Sequence, residues 1–81
     1  MEYRILLNTI DKLREFSTVV CVSPLDMDIR QGRFVVDAKS ILAIFSFDLT
    51  QPLTFIIHLA IDKDEQELNR ILEGIDKYIV K

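Results

Sequence analysis

Polar and apolar residues alternate in several short stretches of this chain and recur at helical spacing in others. Tyr3, Ile5 and Leu7 alternate with Glu2, Arg4 and Leu6, which predicts a first strand over Glu2–Leu7. Asn8 follows as a good helix N-cap, and Asp11 sits where negative charge favours a helix start. Ile10, Leu13, Phe16 or Ser17, and Val20 then keep helical spacing, so a helix is expected from about Thr9 to Val20, with Pro24 barring its continuation. Leu25, Met27 and Ile29 alternate with Asp26, Asp28 and Arg30, a second strand. Gln31-Gly32 signals a turn, and Arg33–Asp37 returns as a third strand in a hairpin. Ser40 opens a short apolar helix, Ile41–Phe45, with its hydroxyl placed to cap it, and Ser46–Pro52 reads as a loop. Leu53, Phe55, Ile57 and Leu59 alternate with Thr54, Ile56, His58 and Ala60 in a fourth strand. Asp64 with Glu67 forms a weak capping box. Leu68, Ile71, Leu72, Ile75 and Ile79 make one stripe of a last helix.

The order is β-α-β-β-α-β-α. Four strands and three amphipathic helices predict an α+β open-faced sandwich: a four-stranded, mainly antiparallel sheet with its helices on one face. The 81 residues make a single domain over positions 1–81. The apolar fraction of 49% suffices for a core without staples. A net charge of −3 disfavours nucleic acid, which wants a basic stripe, and disfavours an anionic membrane surface. No apolar run reaches the ~18–20 residues of a membrane span, and no leader peptide is visible. A cytoplasmic protein is the expectation. Cys21, the one cysteine, stands among Val19, Val20 and Val22 and is read as a buried, inert thiol.

Candidate chemistry is sparse. His58 is the only histidine, and one imidazole supplies one metal ligand where several are needed. Its strand phase opposes Phe55 and Ile57 and puts it on the open face of the sheet. Asp26, Asp28 and Arg30 share one strand face, which reads as its wet side. The acidic run Asp62, Asp64, Glu65 and Glu67 suits a helix start. No phosphate-cradling glycine loop and no paired nucleophile and base are evident, so neither an enzyme nor a cofactor or metal site is expected. The helix Ile41–Phe45 is apolar on nearly every side, and one or two turns cannot all be buried against one sheet. Ile41, Leu42 and Phe45 are therefore candidate docking residues. A phosphate on Ser40 would meet the free N–H groups of that helix.

The segment Val36-Asp37-Ala38-Lys39-Ser40-Ile41-Leu42-Ala43-Ile44-Phe45-Ser46-Phe47-Asp48-Leu49 resembles the HPr family of the bacterial phosphoenolpyruvate-dependent sugar phosphotransferase system. There a strand ends in Asn-Ala-Lys-Ser-Ile-Met-Gly, followed by a short apolar helix and Ser-Leu-Gly-Ile. The similarity runs through Leu53–Ala60 and the acidic start of the last helix, and the element order matches that of HPr. The resemblance implies an HPr-type open-faced sandwich and a cytoplasmic role in sugar transport or its regulation. HPr accepts phosphate on a histidine at the N-cap of its first helix, in a His-x-Arg-Pro context. Here Asn8 or Thr9 holds the histidine's place, and Ile10 and Asp11 fall near the arginine and proline. Neither an amide nor a hydroxyl forms the phosphoramidate. Ser40 matches the family's regulatory serine, and Ile41, Leu42 and Phe45 match its contact surface. The partners this implies are enzyme I, sugar permease domains, HPr kinase and a transcription regulator. Crh, a relative, lacks the histidine, keeps the serine and acts in regulation. Asp48 in place of a glycine, and Pro52 in a shortened loop, depart from the pattern.

The first expectation is thus an HPr-like regulatory or docking variant without catalysis, switched by phosphorylation of Ser40. A second is a working phosphocarrier that uses a displaced residue, for which His58 is the one candidate. A third is a structural module that has left the pathway and forms a homodimer through Leu42 and Phe45.

Overall fold

The computed structural model describes residues 1–59 and 65–80. Its strands are β1 (Glu2–Ile5), β2 (Asp26–Gln31), β3 (Phe34–Asp37) and β4 (Leu53–His58). Its helices are α1 (Ile10–Cys21), α2 (Ile41–Ile44) and α3 (Glu65–Ile75), and a 3₁₀ turn, Asp76–Tyr78, follows α3. The order is the one the alternation predicts. The sheet runs β1-β4-β2-β3, and every pairing is antiparallel. The last strand is therefore inserted between the first and second, with Ile5 opposite Leu53 on one side and Met27 opposite Ile57 on the other.

That insertion builds the core. Side chains alternate across a strand, so Leu53, Phe55 and Ile57 of β4 bury the same face as Met27 and Ile29 of β2 and Ile5 of β1. Against this face pack Leu13, Phe16 and Val20 of α1, Ile44 of α2 and Leu68, Ile71 and Ile75 of α3. Phe16 meets Phe55 edge-on with ring centroids 5.1 Å apart, the arrangement that ring quadrupoles favour. The opposite face carries Asp26, Asp28, Arg30, Thr54, Ile56 and His58, all half-buried or exposed. This is the expected open-faced sandwich.

Several element ends differ from the sequence reading. β1 stops at Ile5 because the Leu6 N–H donates to the Tyr78 carbonyl (2.9 Å); Leu7 is buried nonetheless. α3 stops at Ile75, and Ile79 lies outside it, bridged to Ile5 along the outer edge of β1. Exposed main-chain groups at that edge thus recruit a segment whose apolar spacing reads as helix. Cys21 is exposed, not buried. Its valine neighbours belong to a helix whose inward stripe is Leu13, Phe16 and Val20, so position 21 turns away. The expectations placed on Ala60, Asp62 and Asp64 lie outside the described residues.

Two details fix how α1 meets α3 and the C-terminal turn. A Cβ on Gly74 would stand 2.9 Å from Cγ2 of Val19, so this glycine permits close approach of the two helices. Glu15 of α1 accepts from Lys77 Nζ at 2.8 Å and from the Tyr78 hydroxyl. The Lys77 contact, then that of Tyr78, holds the Glu15 carboxyl below its ordinary value of 4.5. Burial, then the Glu15 contact, pushes the Tyr78 phenol above its ordinary value of 10.0.

Val19 is stiff at χ1 in a helix and cannot easily yield. Overpacking typically costs about 1–3 kcal/mol, against a gain of about 0.8–1 kcal/mol from replacing a helical glycine. Gly74→Ala should therefore destabilise by about 1 kcal/mol in urea denaturation. In a Val19→Ala background the obstructing methyls are gone, and the same change should stabilise. A second prediction concerns acid. A carboxyl with a lowered folded pKa contributes stability that is complete above its unfolded value and is lost as pH falls through the folded one. Wild type and Glu15→Gln should thus differ most in urea midpoint near neutral pH, and the gap should close as pH drops below 4.5.

Candidate functional site

Three places could carry chemistry, and the register of the sheet keeps the first two apart. The first is the N-terminal mouth of α1. Thr9 holds an extended backbone (φ −135°, ψ 157°), and its Oγ1 accepts from the Lys12 N–H at 3.2 Å. Thr9, not Asn8, is therefore the N-cap. The Asn8 Oδ1 instead accepts from Lys12 Nζ at 2.9 Å. Asn8, Thr9, Ile10 and Asp11 are all exposed. The mouth thus offers an amide, an engaged hydroxyl and one ammonium group.

The second place is on the open face. His58 pairs with Asp28 through Nε2···Oδ2 at 2.7 Å. The residue directly opposite His58 is Asp26, and Asp28 lies diagonally one pleat along, within reach of a long side chain. Asp37 stands opposite Asp28 on β3. Asp26, Met27, Asp28, Asp37, Lys39 and His58 line a shallow cleft of about 330 Å³. A carboxylate on Nε2 fixes the ring's orientation and leaves the other nitrogen available. Among the described residues no three metal-ligating side chains converge, and no helix is long and apolar enough to cross a membrane.

The open-face position of His58 agrees with its strand phase, but its carboxylate partner is not legible in the sequence. Both residues read as wet faces of separate strands. Only the insertion of β4 beside β2 brings them together, and no local signal announces that insertion.

The distance between these two places is set by β4. Ile5, which leads into the mouth, pairs with Leu53 at one end of the strand, and His58 is at the other. A strand of this length spans about 17 Å. The lone imidazole therefore does not approach the mouth of α1.

The third place is α2. Ser40 is its N-cap by position, yet its side chain makes no cap hydrogen bond, which corrects the expected capping role. The main chain carries the turn instead: the Ser40 N–H donates to the Asp37 carbonyl (3.0 Å), and its carbonyl accepts from Ile44 (3.1 Å). The Lys39 N–H donates to Asp37 Oδ1 at 2.9 Å. Among the described residues the hydroxyl has no hydrogen-bond partner, and the residue is exposed. The helix ends at Ile44, one residue short of the sequence reading. Ile44 is its core residue, Ile41 is half-buried against the core, and Leu42 and Phe45 are 80% and 46% exposed. The following loop does not cover them, because its own Phe47 and Leu49 pack on the core.

No protein-family model matches the chain, and no curated protein does. Among solved structures, the chain is similar to HPr-C-His from Thermoanaerobacter tengcongensis at a TM-score of 0.71 and 17% identity, over 95% of this chain and 92% of that one. At that identity the likeness is one of fold, and the fold of this chain is the HPr-type open-faced sandwich.

Proposed function

We propose that this chain is a non-catalytic, HPr-like docking protein of the cytoplasm, acting on components of the sugar phosphotransferase system or their regulators and switched by phosphorylation of Ser40. The observation that carries the reading is an exposed Ser40 whose hydroxyl makes no cap hydrogen bond, followed by two exposed apolar side chains, Leu42 and Phe45. Apolar groups exposed together are characteristic of contact surfaces. Phosphorylation would add about −1.5 to −2 charges next to them, turning an apolar surface into an anionic one.

The carrier function is disfavoured by the α1 mouth. Asn8 and Thr9 have no nucleophilic nitrogen of the imidazole kind, and the Thr9 hydroxyl is engaged by Lys12. A second reading, transfer through His58, draws on its contact with Asp28, which would orient the ring for attack. The separation of His58 from the mouth means that this would require a different docking geometry altogether.

Incubation with ATP and HPr kinase should place one phosphoryl group on the wild-type chain and none on Ser40→Ala, read by mass spectrometry. Leu42→Ala and Phe45→Ala should each weaken binding to a sugar-transport component by roughly tenfold, as truncation of an interface anchor does. Absence of both the modification and any such binding ends the reading. Incubation with phosphoenolpyruvate and enzyme I should leave the chain unmodified; acid-labile phosphate lost in His58→Ala would replace docking with transfer.

A further inference from the structure

The sheet has two edges, and the chain treats them differently. Along β1 the C-terminal segment supplies partners: the Leu6 N–H donates to Tyr78, the Val80 N–H donates to the Arg4 carbonyl (2.8 Å), and Ile79 faces Ile5. Along β3 no strand or bridge among the described residues covers the edge.

The bare groups of that edge can be named. Opposed residues in an antiparallel pair alternate between exchanging both main-chain bonds and exchanging neither. The Ala38 N–H donates to the Met27 carbonyl (3.0 Å), and the register continues through Ile29↔Val36 to Gln31↔Phe34. Phe34 and Val36 therefore bond inward to β2, while Val35 and Asp37 direct their main-chain groups outward. The hairpin agrees. Gly32 has φ 60° and Arg33 does not have a positive φ, which is the two-residue turn with glycine first, whose flanking residues exchange bonds.

We infer that this edge pairs with the same edge of a second copy, antiparallel, about a two-fold axis through Val35. Outward groups must meet outward groups, so only registers that oppose odd-numbered positions are open. In the register centred on Val35, Phe34 lies beside the partner's Val36, and Arg33, in the turn that leads into β3, is placed for its long side chain to reach the partner's Asp37. Shifting by two residues in either direction separates the opposite charges. The run Arg33-Phe34-Val35-Val36-Asp37 is thus complementary to its own reverse. Neither Arg33 nor Asp37 is in an ion pair among the described residues. Phe34 and Val35 are 72% and 54% exposed on opposite faces of the strand, and β3 carries no proline at its edge. A two-fold contact uses up the edge, and the far edge is covered, so assembly closes at the dimer. The pairing does not depend on the state of Ser40.

Sedimentation equilibrium on the full chain over a range of concentrations should show a reversible monomer–dimer equilibrium. Val35→Pro removes an outward N–H and no bond to β2, so it should give a monomer whose urea midpoint matches that of wild type at concentrations low enough to dissociate the dimer. Arg33→Asp and Asp37→Arg should each weaken the dimer by about tenfold, since symmetry turns two attractive cross-strand pairs repulsive. Mixed in equal amounts, these two variants should dimerise as wild type does, because every facing pair is then opposite in charge. A wild-type chain that stays monomeric at millimolar concentration overturns the inference. So does a mixture that fails to associate. A dimer that survives both charge variants but is lost in Phe45→Asp overturns it too, and moves the contact to α2. So does capture of an extended peptide by a wild-type monomer, since the edge then serves another chain. If Val35→Pro fails to fold, the mixing experiment decides alone.

Discussion

β4 is hydrogen-bonded on both sides, and its register with β1 and β2 governs the rest of the molecule. With Leu53 opposite Ile5 and Ile57 opposite Met27, odd positions of β4 face the helices and even positions face solvent. A slip of one residue would send Phe55 to water and His58 into the core. Phe16 would then lose its ring partner, and an unpaired imidazole would be buried at a cost of several kcal/mol. The same alternation, carried across β2, decides which groups of β3 point outward. Core, cleft and open edge are thus consequences of a single pairing pattern.

The pattern also separates chemistries that a phosphoryl carrier would need together. An imidazole needs a helix mouth or a cation beside it to stabilise a phosphoryl group. Here the mouth belongs to Thr9 and Lys12, while the ring belongs to Asp28 at the other end of β4. The ring's neighbours Asp26 and Asp37 are carboxylates, which repel phosphate, and among the described residues Lys39 is the one cation lining that cleft. Electrostatics and distance therefore point the same way, independently of any likeness to known proteins.

Much of the fold was legible because strands with one buried face announce themselves by alternation. Tyr3–Leu7, Leu25–Arg30 and Leu53–His58 each show it, and each contains a strand, though Leu6, Leu7 and Leu25 lie outside. What escaped was whatever depends on a neighbour distant in sequence. Ile79 keeps helical spacing but serves the edge of β1. Cys21 lies among valines yet faces water. Gly74 looks like a flaw in α3 until Val19 is seen against it. The site followed the same rule. Exposure of Leu42 and Phe45 was readable from a helix too short to bury all its sides, whereas the Asp28–His58 contact required knowing which strands are adjacent. The choice between Asn8 and Thr9 rested on a single backbone conformation, which side-chain preference alone does not distinguish.

Exposure itself separates what folding demands from what it merely allows. Asn8 and Thr9 sit outside the core, and Thr9 supplies a cap, whose removal typically costs ~1 kcal/mol. Nothing in folding asks for Leu42 or Phe45 to be apolar. Ile44 alone anchors α2 in the core, and a polar residue at 42 would be at least as compatible with water. A lone exposed leucine needs no explanation, but a leucine and a phenylalanine three residues apart on one helix face, next to an exposed serine, form a contiguous surface. An exposed apolar surface carries an aggregation hazard, and the proposed docking contact is what would cover it.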